Sequence, residues 1–222
     1  MSMEGAGNMK NLGFKAVRAS IVAASRKLAD LGFFAGIGGN LAVRVDPELM
    51  AVTPSASDYY SMKDEDICIL RIKDLKLVEG NKHPTTESGM HAAFLTRRPD
   101  LQVSLHTHQP LASAVTLLGI DMPIEGAEAR ASLGASLRLV SYAPSGTIFL
   151  VNAFKKKIRK DTNGYLLRNH GIVCGAKSID RAIENVLLAE KQSANFLRSR
   201  IKNNLSFSEI SPLVVHQALS IL

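Results

Sequence analysis

The 222-residue chain has no tryptophan, and phenylalanine and tyrosine together make up only 5% of it. Few flat side chains are therefore available for bases to stack on, which argues against nucleic acid as a partner despite a formal charge of +7. The basic runs at Lys155, Lys156, Lys157, Arg159 and Lys160, and at Arg198, Arg200 and Lys202, fall in helix-like segments and read as solvated faces. Two cysteines, Cys68 and Cys174, are too few for a disulfide scaffold and suit a reducing compartment. No apolar run is long enough to span a membrane. The opening MSMEGAGNMK lacks the apolar core of a secretory signal, so the cytoplasm is the expected location. Nucleotide fingerprints are missing too. The cluster Gly36, Gly38, Gly39 spells neither GxGxxG nor GxxxxGK[ST], and it follows a helix and enters a strand, the reverse of a Rossmann unit.

What is present reads as one globular domain over residues 1–222. Hydrophobic residues at 46% and charged residues at 21% are ordinary values, and the length supports a sizeable core. After a loose lead-in over residues 1–11, Phe14, Val17, Ile21, Ala24, Leu28 and Leu31 recur at steps of three and four and predict a helix stopped near Gly32. LAVRV, residues 41–45, predicts a strand. The segments 67–72 and 75–78 predict two short strands joined by a charged turn at Lys73-Asp74, which favours antiparallel pairing. A helix is expected over 87–98, capped by Thr85 or Thr86 and stopped by Pro99. Further helices are expected over 110–118, 147–160 and 179–201, with a short one over 212–222. Strands are expected over 120–124, 137–142 and 165–174, and 126–136 is ambiguous between loop and helix.

The chemistry concentrates between Pro84 and His108. On a strand, side chains alternate faces, so His106 and His108 project the same way, with Val103 and Leu105 on the opposite, buried face. Two imidazoles one pleat apart make half of a divalent-metal site, and a third is available at His170 in RNHG. Three neutral nitrogen ligands and one open position describe a catalytic site more than a structural one. An ion held there would polarise a substrate carbonyl and stabilise an enediolate. Glu87, on the preceding helix, is the natural proton carrier if partial burial lifts its pKa towards neutrality. His91, four residues on, shares a face with Glu87 and is expected to pack against the sheet. His83 and His216 read as surface residues. Backbone N–H groups at the glycine cluster, and hydroxyls at Thr53 and Ser55, are suited to an anion.

Taken in order, GGNLAVRV, VTPSASD, PTTESGMH, SLHTHQPLA and LRNHGIVCGA resemble the class II aldolase/adducin family over about residues 14–200. The resemblance implies an α/β fold of three layers, a central, mostly antiparallel β-sheet flanked by helices. It also implies a homotetramer with active sites between subunits. By position it makes His106, His108 and His170 ligands of a divalent metal, with zinc the usual ion. Glu87 would touch that metal in the empty site and shuttle the proton during turnover. Gly39 and Asn40, Thr53 and Ser55, and Thr85 and Thr86 would hold the substrate phosphate. The implied reaction is cleavage of a ketose phosphate, such as L-fuculose 1-phosphate, to dihydroxyacetone phosphate and an aldehyde. The same scaffold supports dehydratases, decarboxylases and 4-epimerases, the last with Asp where Glu87 stands. Adducin-like heads form a non-enzymatic interaction module and lack the histidines that this chain keeps. Aldolases of the family use a tyrosine as acid after the strand that follows the HxH helix. No tyrosine lies at 121–136 here; Glu125, Glu128 and Arg130 do, and none is assignable as the acid.

Overall fold

A computed structural model describes residues 3–34, 36, 38–204, 216–217 and 220, with the backbone alone for 3–13 and 204. Among these residues the strands are β1 (Asn40–Arg44), β2 (Leu49–Val52), β3 (Cys68–Arg71), β4 (Leu77–Glu79) and β5 (Val103–Thr107). They are followed by β6 (Met122–Pro123), β7 (Ser136–Val140), β8 (Gly164–Leu167) and β9 (Gly171–Ala176). The helices are α1 (Met3–Asp30), α2 (Ser88–Arg97), α3 (Pro110–Thr116), α4 (Ala127–Leu133), α5 (Ile148–Lys157) and α6 (Ile179–Asn204). The nine strands form one sheet in the order β4-β3-β2-β1-β5-β9-β8-β7-β6. Every neighbouring pair is antiparallel except β7 and β8.

Alternation along the strands separates two apolar faces. Leu41, Val43, Val103, Leu105, Ile172 and Cys174 pack with Ile21 and Leu28 of α1, Ala112 of α3, and Ile183 and Val186 of α6. On the opposite face Val173, Tyr165 and Leu167 meet Met90 and Phe94 of α2 and Leu150 and Phe154 of α5. There Phe94, Phe154 and Tyr165 stack edge to face, with ring centroids 5.1 to 5.4 Å apart, a geometry that satisfies their quadrupoles. Ala42, Met50, Val52 and Leu70 carry this face towards Ala92 and Leu95. The result is the helix–sheet–helix layering expected from the chain.

Local departures have identifiable causes. Helix α1 begins at Met3, so the lead-in expected over 1–11 is helical from that residue. Leu75, expected in a strand, sits in the β3–β4 turn at φ +61°. The strand expected over 120–124 shrinks to Met122–Pro123, and 126–136 resolves into α4 followed by the start of β7. The single strand expected over 165–174 is a hairpin. Asn169 at φ +55° reverses the chain, a conformation that Asn tolerates better than most side chains. The His170 N–H then bonds back to the Leu167 carbonyl at 3.0 Å. The helix expected over 212–222 lies for the most part outside the described residues.

Candidate metal centre and active site

Strand β5 pairs with β1 on one side and β9 on the other, with Asn40 and Val173 opposite His106. Ser104 and His106 face α2, and all five residues of β5 are buried, so the polar face expected on this strand is covered by the helix. His108 follows directly after the strand, where its N–H bonds the Phe33 carbonyl at 3.1 Å. The β8–β9 hairpin turn delivers His170 from the neighbouring strands. The three rings sit against one another with centroids 4.6 to 5.1 Å apart. One ring nitrogen of each lies within 4.8 Å of the others.

The donor set fits a divalent ion. His106 Nδ1 meets the Ile172 carbonyl at 2.7 Å, which makes Nδ1 the protonated nitrogen and leaves the Nε2 lone pair facing the cluster. That Nε2 lies 2.8 Å from His108 Nε2, a separation at which two lone pairs repel unless a proton or cation lies between them. Nitrogens on one tetrahedral zinc stand roughly 3.3 Å apart, so small ring movements accommodate an ion. Gly171 makes the packing feasible. A methyl at its Cα would sit 2.7 Å from His108 Cδ2 and 3.3 Å from His106 Cε1. Burial, with the His108 and His170 rings alongside, pushes His106 down to about 4. Burial and the His170 ring also lower His108. Both are neutral, ligand-ready imidazoles at physiological pH.

Glu87 closes the cluster from the N-terminal end of α2, as the residue before Ser88. Its Oε2 lies 3.2 Å from His106 Nε2 and its Oε1 lies 3.6 Å from His170 Nε2. Asn40 Nδ2 donates to Oε2 at 2.8 Å, and Ser145 Oγ donates to Oε1 at 2.9 Å. The lifted pKa expected from partial burial is not what these neighbours produce. Burial does push the carboxyl up, but the His106 ring, the Asn40 amide and the His170 and His91 rings together outweigh it and hold it at about 2. Glu87 is thus an ionised, hydrogen-bonded base.

Beside this cluster lies a cavity of about 170 Å³ lined by Gly38, Gly39, Asn40, Pro54, Ser55, Ala56, Thr85, Thr86, Glu87, His108, Ser145 and His170. Five of the six residues expected to hold a phosphate therefore border it. Thr53 does not. It is 1% exposed, and its Oγ1 accepts the Leu41 N–H at 3.2 Å, tying β1 to the segment after β2. Gly39 has φ +87°, and any side chain there would enter the Phe34 ring. The Tyr59 hydroxyl holds the Gly39 carbonyl at 2.6 Å, which fixes the loop from behind. Thr85 Oγ1 accepts the Glu87 N–H at 3.3 Å and sets the approach to α2. Glu125, Glu128 and Arg130 do not line this cavity; they sit near α4, where Arg130 bonds the Ile124 carbonyl. A larger depression of about 720 Å³, between α2, α5 and the β3–β4 turn, shares only Thr86 with the site. His83 and His216 are exposed, as expected.

Sequence reasoning missed Ser145. It precedes α5 in a Pro-Ser-Gly turn, and nothing in its spacing ties it to Glu87, 58 positions earlier. Only the generic enrichment of hydroxyls ahead of helices marks it. Reasoning also placed His91 only as packing, whereas His91 is hydrogen-bonded through both ring nitrogens.

A mixed, mostly antiparallel sheet here gathers three imidazoles that could hold a metal ion, with a carboxylate, beside one cavity. The profile of the family described as Class II Aldolase and Adducin N-terminal domain matches residues 19–195, and the chain belongs to that family. Among its relatives is a 5-deoxy-D-ribulose 1-phosphate aldolase of Bacillus thuringiensis serovar kurstaki, 35% identical over 167 residues, 74% of this chain and 76% of that protein. An L-fuculose phosphate aldolase of Methanocaldococcus jannaschii is 26% identical over 178 residues, 80% of this chain and 94% of that one. A solved structure of an L-fuculose 1-phosphate aldolase superposes with a TM-score of 0.76 at 26% identity, covering 92% of this chain and 95% of that one. The protein is a class II aldolase or a closely related lyase.

Proposed function

We propose that this protein is a zinc-dependent aldolase that cleaves a ketose 1-phosphate to dihydroxyacetone phosphate and a short aldehyde. The observation that carries the reading is the meeting of His106, His108 and His170 within 4.8 Å of one another, with Glu87 oxygens 3.2 and 3.6 Å from two of them. The names of the relatives point to substrates of the 5-deoxyribulose 1-phosphate and L-fuculose 1-phosphate type. His106, His108 and His170, with Glu87 in reach, would hold the ion, which when bound supplies positive charge to the oxygens of the reacting carbons.

The remaining work falls to the protein. The cavity offers the phosphate hydroxyls from Ser55, Thr85 and Thr86 and backbone at Gly38 and Gly39, with no lysine or arginine on its wall among the described residues. In cleavage the C3–C4 bond breaks and its electron pair stays on C3 of the triose phosphate. The C4 hydroxyl loses its proton as the aldehyde forms, and C3 gains one. Glu87, ionised at rest and held on both oxygens, would first take up a proton, that of the C4 hydroxyl being the one released, and then deliver it to C3. We place the enzyme in the cytoplasm, where its two buried free thiols stay reduced. We also propose that it works as a homotetramer, since Tyr142, Ile148 and Phe149, near Ser145 in the chain, are 61 to 70% exposed. Light scattering should give about four times 24.0 kDa, and a monomer mass would refute the assembly.

A panel of ketose 1-phosphates with mass detection of products tests the reaction. Metal-dependent release of dihydroxyacetone phosphate is expected. Products one water lighter than substrate, with the carbon chain intact, would make the enzyme a dehydratase instead.

A further inference from the structure

We propose that His91 and Asn40 are positioning residues for Glu87, the last links of a one-way hydrogen-bond chain from Ser104 through His91 and Asn40 to the carboxylate. The inference rests on Glu87 being the proton carrier, and it adds what aims it.

Each link has one chemically allowed direction. A carboxylate only accepts, so the Asn40 group 2.8 Å from Glu87 Oε2 is the amide nitrogen. Asn40 Oδ1 is then left as an acceptor, and His91 Nε2 stands 2.6 Å from it. That nitrogen must carry the ring proton. In a neutral ring Nδ1 is then the acceptor, and the Ser104 hydroxyl donates to it across 2.6 Å. The charge on Glu87 thereby sets the orientation of the amide, the tautomer of the ring and the rotation of the hydroxyl. Burial keeps His91 neutral, pushing it down to about 3.

The chain also connects the elements that build the site. Glu87 and His91 lie one turn apart at the start of α2, Asn40 opens β1 and Ser104 lies in β5. Asn40 is the cross-strand partner of His106, so one strand register places both an imidazole of the metal centre and the amide that grips the carboxylate. His91 and Ser104 are fully buried and Asn40 is 8% exposed, so solvent does not compete for these bonds. His91 is not on the cavity wall, and among the described residues its hydrogen-bonded route to the carboxylate runs through Asn40. A buried histidine needs a partner at each ring nitrogen whatever its role, or it costs stability. What marks His91 is where its bonds lead, through Asn40 to Glu87.

Two measurements on the full-length protein test this. Ring ¹⁵N–¹H NMR of the metal-free protein should show His91 protonated at Nε2 and bare at Nδ1. The opposite tautomer, or a doubly protonated ring at pH 7, overturns the chain whether or not any sugar phosphate is turned over. With a substrate in hand, His91→Leu should lower kcat on the order of ten- to hundredfold, with KM and metal content unchanged, because a small misplacement of a proton carrier is expensive. His91→Gln, whose amide can still donate to Asn40, should recover most of that loss. In a Glu87→Gln background, His91→Leu should cost almost nothing more. Full kcat in a folded His91→Leu variant, or the same loss in the Glu87→Gln background, overturns the proposal. If His91→Leu does not fold, the tautomer and the His91→Gln rate decide. A parent enzyme inert on every ketose phosphate would instead refute the functional reading, leaving the NMR result to stand by itself.

Discussion

Glu87 is governed by opposing influences: burial favours its neutral form, while two hydrogen-bond donors and three imidazoles favour the anion. Glu87→Gln is isosteric and removes the charge but not the volume. It should leave metal bound, since the three imidazoles remain, and lower kcat by about 10²- to 10⁴-fold. Metal analysis beside steady-state rates checks both halves, and unchanged turnover would remove Glu87 from its role. At this scale the histidines and the carboxylate were readable in the chain, because ligand chemistry admits few side chains and the HxH spacing has one geometric meaning on a strand. Ser145 and the partners of His91 were not, since hydroxyl and amide contacts depend on which loops meet in space. The direction of the Glu87 shift was unreadable for the same reason: burial and His91 on the same helical face were foreseeable, the Asn40 amide on Oε2 was not.

Among the elements, the β8–β9 hairpin shows what periodicity hides. Tyr165–Leu167 and Gly171–Ala176 are apolar on both faces, so the stretch reads as one long strand, and only Arg168-Asn169-His170 interrupts it. Asn tolerates a left-handed backbone and the glycine allows close approach, so the turn was encoded, but in three residues without a periodic signal. Gly171 has a further function there, since it leaves room for the His106 and His108 rings. Gly171→Ala should therefore weaken metal binding at least tenfold, because a methyl there would meet the Thr107 carbonyl of β5 at 2.5 Å as well as the His108 ring edge at 2.7 Å, so strand seam and ring must both shift. Competition titration with a chromogenic chelator measures the change; parental affinity would mean the rings have slack that the packing does not suggest. Helix α6, and α1 from Phe14 onward, were legible because their apolar faces repeat over many turns, whereas β6, two residues long, is defined only by its pairing with β7.

Across the whole molecule, the same burial that prepares the imidazoles makes the fold acid-sensitive. His91 and His106 are held at about 3 and about 4 against an ordinary 6.5, so between these values the unfolded chain binds more protons than the folded one. Stability is then complete above about pH 6.5 and declines as the pH falls through that window. The Glu87 carboxyl, held at about 2 against 4.5, acts in the same direction below it. Urea melts of metal-free protein at pH 7, 5.5 and 4.5 should show a falling midpoint. A midpoint that stayed level or rose would mean that the rings are charged in the folded state.

The most direct test of the central claim is the metal stoichiometry of the purified protein and of its His106→Ala and His170→Ala variants, measured by inductively coupled plasma mass spectrometry. One divalent ion per chain is expected in the parent and close to none in either variant, with folding intact by circular dichroism. Variants that keep a full complement of metal would contradict the account, since the ion would then sit elsewhere.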